Sequence, residues 1–385
     1  MLDEVFRNLV VLGDAAYVRD PVFGIVRNRV NAEVAKTLMR MGDGRYVGEI
    51  ATHIVRHQNP DGSWNEVHVN YSQPSALITS FIGDALLYAE SRHPYGESID
   101  SARKYVLSQE KRPGFFVKSA GYTADHLNAD ASCGAFLAHY GAAFDDPACL
   151  EAAERAAGNV CSHQEAAGAY PYAVDRGTYP YTFAVPCIHY QGVTLYYLTQ
   201  IQEILDVPWI EESLQRGVEW LASVQQADGR FDWSKSGLMF AYYLSGAYAF
   251  AFSSFLRASR RDPGFLTNAE LCLHELARNT DGLLLRWESG GWREIVPSLH
   301  AAARTASIGE YPLRHRAFRF GYGMYRQVAR RRRSRTADTR AFRLLCRALN
   351  IRASTVEPSK NFPDLFMTSE ALDCLSRSYT EGAYA

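Results

Sequence analysis

A Gln-x-x-x-Gly-x-aromatic motif recurs along this 385-residue chain at nearly even intervals, and that regularity constrains the fold more than any other feature. Gln58, Gly62 and Trp64 form the first copy, and Gln225, Gly229 and Phe231 the second clear one. Weaker copies run from Gln109 to Gly114 and Phe115, and from Gln164 to Gly168 and Tyr170. A fifth lacks the Gln and runs from Asn279 through Gly282 to Trp287. The turn glycines at 62, 114, 168, 229 and 282 are separated by 52, 54, 61 and 53 residues. A sustained period of this size marks an array of similar supersecondary units.

Helix ends explain why such a motif should repeat. The last carbonyls of a helix have no partner within it. A Gln at that point bridges them to the start of the next unit. The glycine takes a positive φ that other residues resist, and the aromatic packs back over the turn as a plug. On this reading the motif is structural.

Hydropathy patterning gives many helical signals and few strand signals. Helix pairs are predicted at 32–39 with 46–57, 75–89 with 99–108, and 130–140 with 149–163. Further pairs fall at 193–205 with 210–225 and 240–260 with 268–278, and helices are expected near 298–325 and 339–349. In each pair one helix is apolar nearly all round and the next is amphipathic, as an inner and an outer ring would require. About six such hairpins predict an all-α (α/α)6 toroid, a double ring in a single domain spanning residues 1–385. The alternative, an open α-solenoid, needs polar capping repeats at its ends, and the sequence offers none. The segment 361–370 is expected either to fold back over the toroid mouth or to open a capped final helix near Thr368 or Ser369.

Composition narrows the partners. Hydrophobic residues make up 47% and charged residues 22%, ordinary for a globular chain. The net charge of −1 argues against nucleic acid as a partner. No stretch reaches the ~18 apolar residues that a membrane span needs. The basic run Arg330 to Arg335 reads as a solvated helix end, and leaves peripheral membrane contact open. Seven cysteines, odd in number and without a CxxC pair, point to reduced thiols in a cytoplasmic protein. The N-terminus lacks the basic-then-apolar pattern of a signal peptide. Aromatic content is high, with 23 Tyr, 19 Phe and 6 Trp; such rings fill cores and also line ligand pockets.

Two polar clusters interrupt the apolar helices. Tyr122, Asp125, His126, Asn128 and Asp130 lie within nine residues, and His189, Tyr190 and Gln191 precede an apolar run. Acidic residues at a helix start also cap it and complement its dipole, which accounts for one such residue better than for the whole group. A buried imidazole can set a neighbouring acid's protonation or act as a base itself. Both clusters open predicted inner helices, so both are expected at the same mouth. The longest stretch without helical signal, 168–191, carries Tyr172, Tyr181 and several more aromatics, as functional loops do.

The repeated turns resemble the QW repeats of squalene and other terpenoid cyclases, and the same toroid occurs in the protein prenyltransferase β-subunit. The resemblance covers nearly the whole chain at the level of the repeat. In class II terpenoid cyclases the middle Asp of Asp-x-Asp-Asp-Thr-Ala protonates the substrate, and Asp130 falls at that place. Asn128 and Ala131 replace the flanking acids. The resemblance thus implies an isoprenoid substrate, with Asp130 as acid and His189 or Asn128 as its partner. It makes Tyr122, Tyr172, Tyr181, Tyr190 and Trp64 the pocket wall that would stabilise passing cations. The prenyltransferase zinc pattern includes Asp-x-Cys, whereas Asp130 and Cys133 are three apart; with His189 they are the only set worth considering, and no metal or other cofactor is expected. A second reading is a polysaccharide-active toroid enzyme, a lyase, epimerase or glycosidase, using Tyr190, His189, Asp125 and Asp130. A third is a non-catalytic scaffold.

Overall fold

The computed structural model describes residues 1–20, 25–68, 71–89, 95–178, 184–232, 235–236, 244–278 and 365–380. The helices expected near 298–325 and 339–349, the basic run, the fifth turn and Tyr181 lie outside these residues.

A short helix α1 (Leu2–Arg7) and a hairpin β1 (Leu9–Leu12) with β2 (Ala15–Val18) precede the repeats. Five helical pairs follow in order: α2 (Asn28–Arg40) and α3 (Val47–Arg56), α4 (Ala76–Ala89) and α5 (Gly96–Ser108), α6 (Leu127–Phe144) and α7 (Pro147–Ser162), α8 (Ile188–Leu205) and α9 (Pro208–Val224), α10 (Leu244–Ser259) and α11 (Phe265–Arg278). The last described helix is α12 (Leu365–Thr380). Two more short antiparallel hairpins, β3 (Asn65–His68) with β4 (Tyr71–Pro74) and β5 (Glu110–Arg112) with β6 (Phe115–Phe116), lie between α3 and α4 and between α5 and α6.

Six of these helices close a ring. α2 packs on α4, α4 on α6, α6 on α8, α8 on α10, α10 on α12, and α12 returns to α2. The odd-numbered helices α3 to α11 each pack outside their partner. The expected toroid is therefore present, and the described part of the segment expected at 361–370 does not fold back over its mouth. From Leu365 it forms α12, whose buried Leu365, Met367, Ala371 and Cys374 fill the sixth place between α10 and α2. Ion pairs between α2 and α12 advance along both helices in the same direction, from Arg29 with Glu370 to Arg40 with Asp373. These two helices run the same way, and repetition of the hairpin brings the starts of all six to one mouth.

The turn motif is a clasp with three parts. The glycines at 62, 114, 168 and 229 all adopt positive φ. Gly168, at φ +93°, also lies so close to α9 that a Cβ would stand 2.2 Å from the Arg216 carbonyl. The Gln side chain spans two layers: Gln58 Nε2 donates to the Gly62 and Ser98 carbonyls, both at 2.9 Å, and Gln164 to those of Gly168 and Ser213 at 3.0 and 2.8 Å. Gln225 does the same with Gly229 and Asn268. In the second copy this place belongs to Glu110 rather than Gln109. Its carboxylate accepts the Gly114 N–H at 2.8 Å and pairs with Arg155 of α7 at 2.8 and 2.9 Å.

The third part did not emerge from the sequence. Two residues after each glycine, the aromatic's backbone N–H donates to a side chain in the first turns of the next inner helix. Trp64 donates to Thr79 Oγ1 at 2.9 Å, Phe116 to Asp130 Oδ1 at 2.8 Å, and Tyr170 to Gln191 Oε1 at 2.7 Å. Phe231 donates to the Tyr248 hydroxyl at 3.3 Å. Thr79, Asp130 and Gln191 are each the fourth residue of their helices. They are one structural position, filled three ways.

Candidate active site

That equivalence decides where several expected site residues go. α6 begins at Leu127 and α8 at Ile188, earlier than their apolar runs suggest. His189, Tyr190 and Gln191 therefore lie inside α8, while the first cluster straddles the start of α6, with Asn128 and Asp130 in its first turn and Tyr122, Asp125 and His126 ahead of it. Asp130 accepts from Phe116 and, through Oδ2, from Asn159 Nδ2 of the outer helix α7 at 3.0 Å. It faces the seam between layers, beside Asp125, which pairs with Arg112 and Asn159. Burial, then the charge of Asp125, pushes the Asp130 carboxyl well above its ordinary value. Gln191 is likewise committed: its Nε2 donates to the Gly168 and Gly217 carbonyls, each at 3.1 Å. Trp64 is fully buried, its indole donating to the Ile54 carbonyl at 2.8 Å, so it is a plug between layers rather than a pocket wall. Asn128 is buried in the first turn of α6, with no partner for Oδ1 among the described residues. Tyr122 lies beneath the Lys118 ammonium, 4.9 Å from its ring centre.

The remaining expected residues form a line of ring contacts. His126 and Tyr172 meet edge to face with ring centres 5.1 Å apart, Tyr172 and Tyr190 lie at 4.5 Å, and Tyr190 and His189 at 4.9 Å. This aromatic line runs from the seam between α6 and α8 to the centre of the mouth. There His189 packs on Phe250, and a Cβ on Gly246 would stand 3.6 Å from the His189 ring and 3.4 Å from Glu370 Oε2.

The centre itself is charged. Arg29 Nε donates to Glu33 Oε1 at 2.8 Å and its other arm to Glu370. The guanidinium lies between the faces of Phe81 and Phe366, at 4.4 and 4.5 Å. Ser369 donates to Glu33 Oε2 at 2.5 Å. Burial raises the Glu33 carboxyl above its ordinary value; Arg29 opposes this and Asp373 adds to it. Burial, with the charge of Arg29, brings His189 down to about 3, so its imidazole is neutral at ordinary pH. The charge of Arg29 thus acts on both a carboxyl raised above its ordinary value and an imidazole lowered below its own, environments that push an acid and a base apart.

A second tier lies deeper in the ring. Lys36 contacts Asp84 at 2.5 Å and Asp373 at 3.8 Å, Arg40 reaches Asp373 at 2.6 Å, His139 meets Asp84 at 2.5 Å, and Tyr196 donates to Asp373 at 3.0 Å. Lys36 and Arg40 hold Asp373 below its ordinary value against its burial, and Lys36 and His139 do the same for Asp84.

Sequence reasoning missed Arg29, Glu33, Lys36, Arg40, Asp84, Glu370 and Asp373. A signal was present: residues 29, 33, 36 and 40 share one face of a helix whose remainder is largely apolar, and Asp84 is the only charge in α4. Among the described residues no three His, Cys, Asp or Glu side chains gather to hold a metal. Asp130 and His189 in particular lie on different faces of the inner ring. No helix among the described residues is long and apolar enough to cross a membrane.

No family model matches the chain, and no curated protein matches it in sequence. Its structure is similar to that of a possible member of the GH105 family from Salmonella enterica serovar Paratyphi A. The TM-score is 0.61 at 12% identity, over 99% of this chain and 90% of that one. It is similar also to cellobiose 2-epimerase from Bacillus thermoamylovorans, with TM-score 0.60 at 9% identity over 74% of this chain and 87% of that one. An inactive variant of α-1,6-mannanase GH76A from Salegentibacter, in complex with α-1,6-mannotriose, gives TM-score 0.55 at 10% identity, over 74% and 88%. The fold is an all-α toroid. At these identities the likeness carries the fold and no more. The resemblance to terpenoid cyclases therefore holds at the level of fold class and lends no support to an isoprenoid substrate.

Proposed function

We propose that this chain is a single-domain carbohydrate-active enzyme that moves a proton at a sugar carbon or glycosidic oxygen. Glu33 would serve as the acid, His189 as the base, and Arg29 and Glu370 as the groups that hold them. The observation that carries this reading is the Arg29–Glu33–Glu370 cluster beside His189 at the centre of the mouth. The toroid neighbours with carbohydrate-active names support it further. Tyr190, half-buried against Tyr172, is an aromatic side chain of the kind on which sugars stack. Terpenoid cyclisation loses its main support, because Asp130 holds a turn that the other repeats close with Thr79, Gln191 and Tyr248.

The test is a screen of neutral and uronate oligosaccharides, with product analysis by NMR, on wild type and on Glu33→Gln and His189→Asn. One saccharide class should be turned over by wild type, and each variant should lose at least about 100-fold in rate while keeping its fold. A wild-type protein that neither binds nor converts any member of the panel would refute the reading.

A further inference from the structure

Among the four described clasps, the second differs chemically. Thr79, Gln191 and Tyr248 are neutral acceptors at neutral pH, whereas Asp130 is a carboxyl group. Asp130 is also not alone. The Asn159 amide that donates to its Oδ2 at 3.0 Å donates to both Asp125 oxygens, at 3.2 and 3.3 Å. The two carboxyls are wholly buried. The charged and titratable groups around them come from every neighbouring element. Arg112 in β5 pairs with Asp125, and Arg155 on α7 is taken up by Glu110. Asp175 accepts the Asp125 N–H at 3.0 Å, His126 follows Asp125 in the chain and is kept neutral chiefly by burial, and the Cys133 thiol on α6 is likewise neutral. One cation thus faces two adjoining carboxyls, which cannot both ionise cheaply in a dry site.

Asp125 also stitches two rim segments together. Its carbonyl accepts the Val174 N–H at 2.8 Å. Nearby, the Thr123 N–H donates to Thr178 Oγ1 at 3.3 Å, and the Thr178 hydroxyl donates to the Gly121 carbonyl at 2.8 Å. The segments so joined, 117–126 and 172–178, bring His126 against Tyr172.

We propose that Asp125 and Asp130 share one proton, and that this proton latches segments 117–126 and 172–178 to the ring, releasing them together as pH rises. Burial beside Asp125 makes the Asp130 carboxyl harder to ionise than usual, which fixes the sign. A group whose folded pKa exceeds its unfolded value stabilises fully below the unfolded value, and that stability drains away as pH climbs toward the folded one.

Hydrogen–deuterium exchange of the full chain, corrected for intrinsic rates, tests it between about pH 4 and about pH 8. Protection in both segments should fall together as pH rises, their opening constant growing by up to about tenfold per pH unit, while α4 and α5 stay unchanged. Asp130→Asn, whose amide donates permanently to Asp125, should remove that dependence. An equal pH response in wild type and Asp130→Asn overturns the latch, and so does a flat response in wild type. Where the variant does not fold, infrared titration of Glu33→Gln decides, since Glu33 is then silent. A protonated-carboxyl band persisting at about pH 6 supports the shared proton, and its absence overturns it.

Discussion

Gly168 and Gly158 show how differently one residue type is used. At Gly168 the backbone is left-handed and the Arg216 carbonyl occupies the space of a Cβ. Gly168→Ala should therefore cost at least about 2 kcal/mol in urea unfolding. Gly158 lies in the body of α7 with nothing within 4 Å of its would-be Cβ, so Gly158→Ala should stabilise by about 0.5–1 kcal/mol in the same measurement. The proposed catalytic pair has its own signature in pH. His189 titrates near 3 and loses its role as base below that, while Glu33 loses its proton as pH rises through its raised value. The rate should thus be bell-shaped, with a low-pH limb near 3 that disappears when His189 is no longer the base. These roles were only half legible in the sequence. His189 stood out because polar residues beside an apolar run invite attention. Glu33 and Glu370 did not, because charges on one face of a helix read as solvated until the ring turns that face inward.

Among the elements, the clasp explains both what the sequence revealed and what it concealed. Glycine, glutamine and aromatic repeat visibly, because the left-handed turn, the two-carbonyl bridge and the plug each tolerate few side chains. The acceptor on the next helix is invisible to pattern matching, since Thr79, Asp130, Gln191 and Tyr248 meet one geometric demand with four side chains. Asp130 therefore matched part of a catalytic motif while filling a structural post. The order and pairing of α2 to α11 were legible from periodicity alone, whereas the starts of α6 and α8 were not, because their first turns are polar. Gln164→Ala should remove the bond to the Gly168 carbonyl within its turn and the two bonds with Ser213 that join the turn to α9. The expected loss is about 1–3 kcal/mol, read by thermal unfolding, with a smaller loss for Gln109→Ala, whose side-chain amide bonds only the neighbouring Ser108 hydroxyl among the described residues.

For the molecule as a whole, closure depends on α12. Arg40 and Asp373 join the first and last inner helices across 333 residues of chain. Arg40→Met leaves the Asp373 carboxylate buried beside fewer cations, and should cost about 3–5 kcal/mol in urea unfolding. The double variant with Asp373→Leu should recover a good part of that loss. Closure also has a direction in time. Synthesis runs from the amino terminus, so α2 to α11 leave the ribosome before the helix that completes the circle exists. Until α12 arrives, the flanks of α2 and α10 that it will cover stay open to any other apolar chain. A break late in the message that removes α12, even though it leaves Arg29, Glu33 and His189 in place, should therefore yield a protein that aggregates rather than a slightly shorter enzyme.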